Sequence, residues 1–204
     1  MWRYGGPSIQ HFNFIRSATL VIVKTEVRYE LGFRPQWEDI EHVRASIAFC
    51  LKAVLTNFAS HESITMVTAE LLENALKYGG TSENIQYVFS LSKNDAFIRV
   101  TNPIASVDDA NKLIELVTWI NEFDEPSLAY QQRMQDIYLS EEIAPGGLGL
   151  VRVAYEGECV LSAQYLDGDC IEVVARYRAD LSNSDEANSD EDDVVRDPDH
   201  DNGS

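Results

Sequence analysis

The pattern that most constrains this fold is a pair of strands near the C-terminus that a two-residue turn joins. Residues 159–166 and 170–178 are rich in apolar and β-branched side chains, and Asp167-Gly168 lies between them. An Asp-Gly pair favours a hairpin turn because glycine tolerates a positive φ. The two segments therefore predict an antiparallel hairpin, and the apolar face of such a sheet needs a second layer to cover it.

A second hairpin is predicted in the middle of the chain. Residues 84–91 place apolar side chains at every second position, which is typical of a half-buried strand. A turn at 93–95 follows, and residues 96–101 form the returning strand, which stops at Asn102-Pro103. Residues 19–29 are β-branched and predict one or two further strands near the N-terminus.

The other periodic segments indicate helices. Apolar side chains recur at three- and four-residue steps over 36–59, and a second helix is predicted over 60–78, ending at Gly79-Gly80. Ser106 and Asp109 resemble a capping box at the start of a third helix. A fourth helix is expected from about Pro126 to Leu139 and a short fifth one over 150–155. This order predicts an α+β fold, a two-layer sandwich whose mixed, mostly antiparallel sheet is covered on one face by helices.

Charge divides the chain and limits its partners. The 204 residues carry a net charge of −18, and residues 180–204, with ten acidic residues and one arginine, supply half of it. We expect an N-terminal strand segment over 1–35, one domain over 36–179 and an acidic disordered tail over 180–204, which either only solubilises the protein or recognises a partner. The acidic balance argues against nucleic-acid binding and favours a protein partner with a basic patch.

Cysteine usage and hydropathy indicate the cellular compartment of the protein. Cys50, Cys159 and Cys170 are odd in number and lack the spacing of metal ligands, which favours reduced thiols. The sequence shows no secretory signal and no apolar run of membrane-spanning length. We therefore expect a cytoplasmic protein that does not bind a membrane.

A polar stripe on the second helix is the first candidate for a site. Glu70, Asn74 and Lys77 stand at i, i+4 and i+7, so a carboxylate, an amide and an ammonium share one helix face. These groups suit a nucleotide, because they offer a base, an oxygen ligand for a metal and a cation for phosphate. The same stripe is also compatible with an ordinary solvated helix face.

The second candidate is a glycine-rich loop before the fifth helix. It comprises Gly146, Gly147, Leu148, Gly149 and Leu150. Glycines let backbone N–H groups approach an anion, and the start of a helix favours negative charge, so the loop suits a phosphate. A glycine-rich turn also serves simple chain reversal, and this one lacks the Gly-Lys-Ser/Thr of a P-loop.

Taken together, the Glu-x-x-x-Asn helix, the following two strands and the Gly-Leu-Gly-Leu segment resemble the Bergerat-fold, histidine-kinase-like (GHKL) ATPases over about residues 36–178. The resemblance implies bound ATP and Mg²⁺. It also implies that Asn74 is the Mg²⁺ ligand, Glu70 the general base, and Lys77 and the loop from Gly146 to Leu150 the phosphate contacts, with a hinge at 140–145.

The sequence departs from that family at the adenine site. The family has Asp-x-Gly-x-Gly after the second strand, whereas this chain has Asn102-Pro103-Ile104-Ala105. The side-chain oxygen of Asn102 can still accept from an adenine amino group, without the charge assistance that is worth about 1 kcal/mol.

The small size of the chain resembles that of stand-alone bacterial kinases of partner-switching pathways. The resemblance implies an ATP-dependent kinase for Ser or Thr of a small anti-sigma-antagonist-type protein, or a partner among sigma and other regulatory proteins, and it is compatible with a homodimer. The main alternative is a non-catalytic interaction module that sequesters a partner, and a further one is ATP hydrolysis without a protein substrate.

Overall fold

The computed structural model describes eight segments of the chain: 15–23, 26–34, 36–52, 58–79, 84–92, 96–139, 147–166 and 169–177. Several sequence predictions lie outside these segments and are not addressed by the structure. They are Gly80, the turn at 93–95, the hinge at 140–145, Gly146, the Asp167-Gly168 turn and the tail over 180–204.

Six strands form one sheet. In chain order they are β1 (Ile15–Val23), β2 (Glu26–Phe33), β3 (Ile85–Leu91), β4 (Ala96–Pro103), β5 (Cys159–Leu166) and β6 (Cys170–Tyr177). The spatial order is β1-β2-β3-β4-β6-β5, and each of the five neighbouring pairs is antiparallel. Both predicted hairpins are therefore confirmed, and the sheet of the described strands is antiparallel throughout rather than mixed.

One face of the sheet carries the core. Buried side chains alternate with more exposed ones along β3 and β4, as the period of a strand requires. The strand register aligns buried side chains of five strands in one row: Tyr29, Phe89, Ile98, Ala175 and Leu161. A continuous apolar face of this kind is stable only when a second layer excludes water from it.

Helices supply that second layer. They are α1 (Trp37–Lys52), α2 (Phe58–Tyr78), α3 (Val107–Asn121), α4 (Pro126–Leu139) and α5 (Leu148–Tyr155). Helix α2 packs on β4 and on α1, while α3 and α5 pack on β5. The two-layer α+β sandwich predicted from the sequence is thus confirmed. In the described part of the chain, no helix combines the length and apolarity that crossing a bilayer requires.

The structure changes several details of the sequence prediction. The predicted first helix reached residue 59, but α1 ends at Lys52 and residue 58 already belongs to α2. Ser106 is the N-cap of α3 as expected, yet its side chain makes no capping hydrogen bond. Helix α5 begins at Leu148, two residues earlier than predicted. Strand β2 pairs with β3 along its length, so the N-terminal strand segment contributes to the same sheet.

Candidate functional site

A cavity of about 560 Å³ lies between α2, α3, α4 and the start of α5. Its wall includes Asn74 and Tyr78 from α2, Trp119 from α3, Arg133 from α4 and Gly147 immediately before α5. The lining contains both apolar or aromatic side chains and charged ones. A volume of this size, with a few convergent polar groups, suits a small organic ligand.

Asn74 is the polar side chain that the fold buries in this wall. The residue is 8% exposed, and its Nδ2 has no hydrogen-bond partner among the described residues. Leaving a buried polar group unsatisfied costs about 1–3 kcal/mol. Since the amide lines a cavity, a polar ligand there can remove that cost, which makes Asn74 the strongest indication of a binding site in the structure.

Glu70, one helical turn before Asn74, is held by an arginine of α5. Nη1 of Arg152 donates to Oε1 of Glu70 at 2.7 Å, and Nη2 of Arg152 lies 2.9 Å from Glu156. Burial raises the pKa of the Glu70 carboxyl, and the positive charge of Arg152 opposes that shift only in part. Glu70 is thus a part-buried carboxylate that takes up a proton more readily than an exposed glutamate.

Each of two glycines in the predicted loop makes room for a charged side chain. Gly147 has a φ of 95°, and a Cβ added there would lie 2.6 Å from Nη2 of Arg133. A Cβ added at Gly149 would overlap Oε2 of Glu70. The structure therefore explains why glycine occupies both positions: side chains from α4 and α2 approach the backbone closely there. The sequence does not indicate this approach.

The structure brings only some of the predicted site residues together. Asn74, Gly147 and Leu150 line the cavity, with Glu70 and Gly149 in contact behind them. Leu148 is partly buried and packs against the hydrophobic core.

Two predicted residues lie elsewhere. Lys77 is exposed, its Nζ is 3.7 Å from Glu73, and it does not line the cavity. Asn102 is 3% exposed, and its Nδ2 donates to the carbonyl oxygen of Pro103 at 3.0 Å. Asn102 does not line this cavity.

Sequence reasoning missed several residues of the site, among them Trp119, Arg133 and Arg152. Trp119 and Arg133 were assigned only to helices, and Arg152 lies 82 positions from the glutamate it contacts. No local spacing links residues so far apart, so the sequence carried no signal for these contacts.

The fold and the site define a class: a small α+β sandwich with a polar cavity between its helices and the start of α5. No family model matches the sequence, and no curated protein matches it significantly. Among solved structures, the chain is similar to one chain in the crystal structure of the SiaB–SiaC complex from Pseudomonas aeruginosa. The TM-score is 0.55 at 15% identity, over 72% of this chain and 88% of that chain. At this identity the likeness establishes a shared fold.

Proposed function

We propose that this chain binds Mg·ATP in the cavity and phosphorylates Ser or Thr of a small regulatory protein in a partner-switching system. The observation that carries the proposal is the buried amide of Asn74 in a cavity wall, one turn from the part-buried carboxylate of Glu70. Its Nδ2 has no hydrogen-bond partner among the described residues. The likeness to a chain of a two-protein complex, SiaB–SiaC, supports a partner protein as the substrate.

Asn74 fits the metal that such a reaction needs. Mg²⁺ commonly takes one or two protein oxygen ligands and completes its shell with phosphate oxygens and water. The Asn74 side chain would offer its amide oxygen to the metal, while its Nδ2, which has no partner among the described residues, could donate to a phosphate oxygen. When bound, the metal neutralises charge on the phosphates.

Glu70 is the proposed base. Its carboxylate takes the proton of the incoming hydroxyl while the hydroxyl oxygen attacks the γ-phosphorus and ADP leaves. The raised pKa suits this role, because a base works best when its pKa approaches the working pH. Arg152 fixes the orientation of the carboxylate through Oε1.

Charge offers a way to release the product. Phosphorylation adds about −1.5 to −2 charges to the partner at neutral pH. The chain itself carries a net charge of −18, so the phosphorylated partner is repelled more strongly than the unmodified one. The transfer step would thus weaken the complex, as a switch requires.

The test combines titration calorimetry with a phosphotransfer assay to a candidate small partner protein. We expect wild type to bind Mg·ATP, Asn74→Ala to lose binding, and Glu70→Gln to bind but not transfer phosphate. Glu62→Gln removes an exposed carboxylate of the same helix that does not line the cavity, and it should behave as wild type. Equal transfer by wild type and Glu70→Gln would show that Glu70 is not the base.

A non-catalytic interaction module is the second candidate. Two observations favour it: the carboxylate of Glu70 is engaged by Arg152, and the amide of Asn102 donates to Pro103 instead of facing the cavity. On this hypothesis the fold sequesters a partner without nucleotide chemistry. Tight binding of the partner by wild type, with no heat of binding for Mg·ATP, would select it over the kinase.

A further inference from the structure

The face of the sheet opposite to the helices combines positive charge with apolar surface. Successive residues of a strand point to opposite faces, so the residues on either side of the buried row that contains Phe89 and Ile98 point away from the helical layer. The strand register aligns them in two rows, which we call the open face: Val21, Arg28, Ser90, Phe97, Arg176 and Val160 in one row, and Thr19, Glu30, Val88, Arg99, Val174 and Ser162 in the other. The two rows contain three arginines and one glutamate, in a chain whose net charge is −18.

Phe97 is the aromatic side chain of the open face, and two arginines flank it. The Cζ atoms of Arg99 and Arg176 lie 5.3 Å and 5.5 Å from the centre of its ring. Phe97 is only partly buried, as are Val88 and Val174 in the other row. A surface that brings guanidinium groups and accessible apolar side chains together suits a segment in which carboxylates flank a few apolar residues.

The arginines of the open face have acidic neighbours within the folded domain. An ion pair joins Arg28 to Glu30, and Nε of Arg99 lies 3.2 Å from Glu172, in the next row of the same face. The side chains of Arg28 and Arg99 are still 47% and 38% exposed. An exposed ion pair is weak and a guanidinium carries five N–H donors, so a further carboxylate can bind without displacing the first. The attraction therefore depends on the excess of positive charge in the two rows and not on an unpaired arginine.

The acidic end of the chain starts at this surface. Strand β6 ends at Tyr177, the residue after Arg176, and residues 180–204 hold ten acidic residues and one arginine. Val194 and Val195 lie among those acidic residues. Neighbouring strands are about 4.8 Å apart, so the six strands span roughly 24 Å, whereas residues 180–204 in extended form reach up to roughly 80 Å. The segment is thus long enough to cross the open face from β6 to β1.

We propose that residues 180–204 dock on the open face of their own chain, with carboxylates around the arginines and Val194-Val195 beside Phe97. The charges are complementary, since the segment has ten acidic residues against one arginine and the two rows have three arginines against one glutamate. Attachment next to Arg176 keeps the segment at an effective concentration on the order of millimolar, so individually weak contacts are sufficient. The open face lies on the side of the sheet away from the cavity, and the proposal is independent of nucleotide chemistry. A partner protein with a basic patch would compete with the open face for the same carboxylates.

Paramagnetic relaxation in the full chain tests the position of the segment. A nitroxide is attached at Ser189→Cys, with Cys50 and Cys170 replaced by serine because both are partly accessible. At low salt we expect the amide signal of Ser90, two strands away from β6, to lose most of its intensity, whereas that of the exposed Met134 on α4 keeps its intensity. At about 1 M salt, where charges are screened beyond about 3 Å, the Ser90 signal should recover.

Two sets of charge variants test the complementarity. Arg28→Gln combined with Arg176→Gln should restore most of the Ser90 signal, and Arg44→Gln, which removes an exposed arginine of α1 paired with Glu41, should not. Replacing the four acidic residues at 190–193 by their amides should act like the arginine double variant. This change leaves the sheet as it is, so it keeps the test valid if thermal unfolding shows that the arginine double variant is not folded.

Other results would overturn the proposal. Signal loss confined to residues next to Tyr177 would show that the segment does not cross the open face. Loss at Ser90 that persists at high salt and in the charge variants would exclude recognition by charge. A mixture of isotope-enriched chain without the nitroxide and labelled chain at natural isotope abundance tests the other occupant, because loss at Ser90 in this mixture would place the segment on a second copy.

Discussion

The substitution Gly149→Ala should destabilise the wild-type chain but stabilise a variant that lacks the Glu70 carboxylate. In the native chain an alanine Cβ at this position would overlap Oε2 of Glu70 and lie 3.2 Å from its Cδ. The carboxylate must then leave its place and lose the 2.7 Å contact with Arg152. Without the Glu70 carboxylate the nearest remaining atom is Nδ2 of Asn74 at 3.8 Å, which is an ordinary contact.

The magnitude follows from two opposing effects. Alanine is favoured over glycine inside a helix by about 0.5–1 kcal/mol. The ion pair that would be lost has side chains that are 17% (Glu70) and 35% (Arg152) exposed. The free energy lost on breaking such a pair is intermediate: an exposed pair is worth at most about 1 kcal/mol, and breaking a buried pair costs about 3–5 kcal/mol. Taking about 2 kcal/mol for it, Gly149→Ala destabilises wild type by about 1 kcal/mol and stabilises Glu70→Ala by about 0.5–1 kcal/mol.

Urea unfolding of wild type, the two single variants and the double variant at neutral pH measures this coupling. We expect an interaction free energy of about 1.5–2 kcal/mol, with unchanged slopes in urea. The matched control combines Gly149→Ala with Glu73→Ala, whose side chain contacts Lys77 and should show no coupling. An interaction below about 0.5 kcal/mol would refute the close approach of Glu70 to Gly149.

Two further predictions concern buried groups. Thr68 and Tyr87 are both fully buried and their hydroxyls are 2.9 Å apart, so Thr68→Val or Tyr87→Phe alone should cost about 1–3 kcal/mol. The double variant should cost less than the sum of the two in urea unfolding, and additive costs would contradict the hydrogen bond. Because burial raises the pKa of Glu70, the folded state binds more protons than the unfolded state between the ordinary and the raised pKa. The stability of wild type relative to Glu70→Gln should therefore fall as pH rises through that window in thermal melts.

Local periodicity was sufficient to predict the layers of the fold. The alternation over 84–91 and the three- and four-residue steps over 36–59 are set by contact with one core, so each segment indicates its own structure. The pairing of β2 with β3 was not predictable in the same way. More than fifty residues separate Phe33 from Ile85, its partner in the sheet, and no turn signal connects them.

The candidate site was predicted less completely, and the second helix shows why. The i, i+4 spacing of Glu70 and Asn74 predicts a shared helix face, and the structure places both side chains near Gly149 in the first turn of α5. Lys77 lies seven residues after Glu70, yet it is exposed with its Nζ 3.7 Å from Glu73, whereas the next residue, Tyr78, lines the cavity. Direction around a helix is set by spacing, whereas which of its side chains reach a cavity depends on the elements packed against the helix.

The glycine-rich segment shows that a glycine can accommodate the protein's own charges as well as a ligand. Gly147 faces the guanidinium of Arg133 and Gly149 faces the carboxylate of Glu70, so opposite charges flank the first turn of α5. Arg152, one turn further along α5, is bonded to that same carboxylate. Because these approaches all involve one short helix, a movement of α5 would change the surroundings of Arg133 and Glu70 together. A residue at 147 or 149 larger than glycine should therefore disturb the side chains that flank this turn.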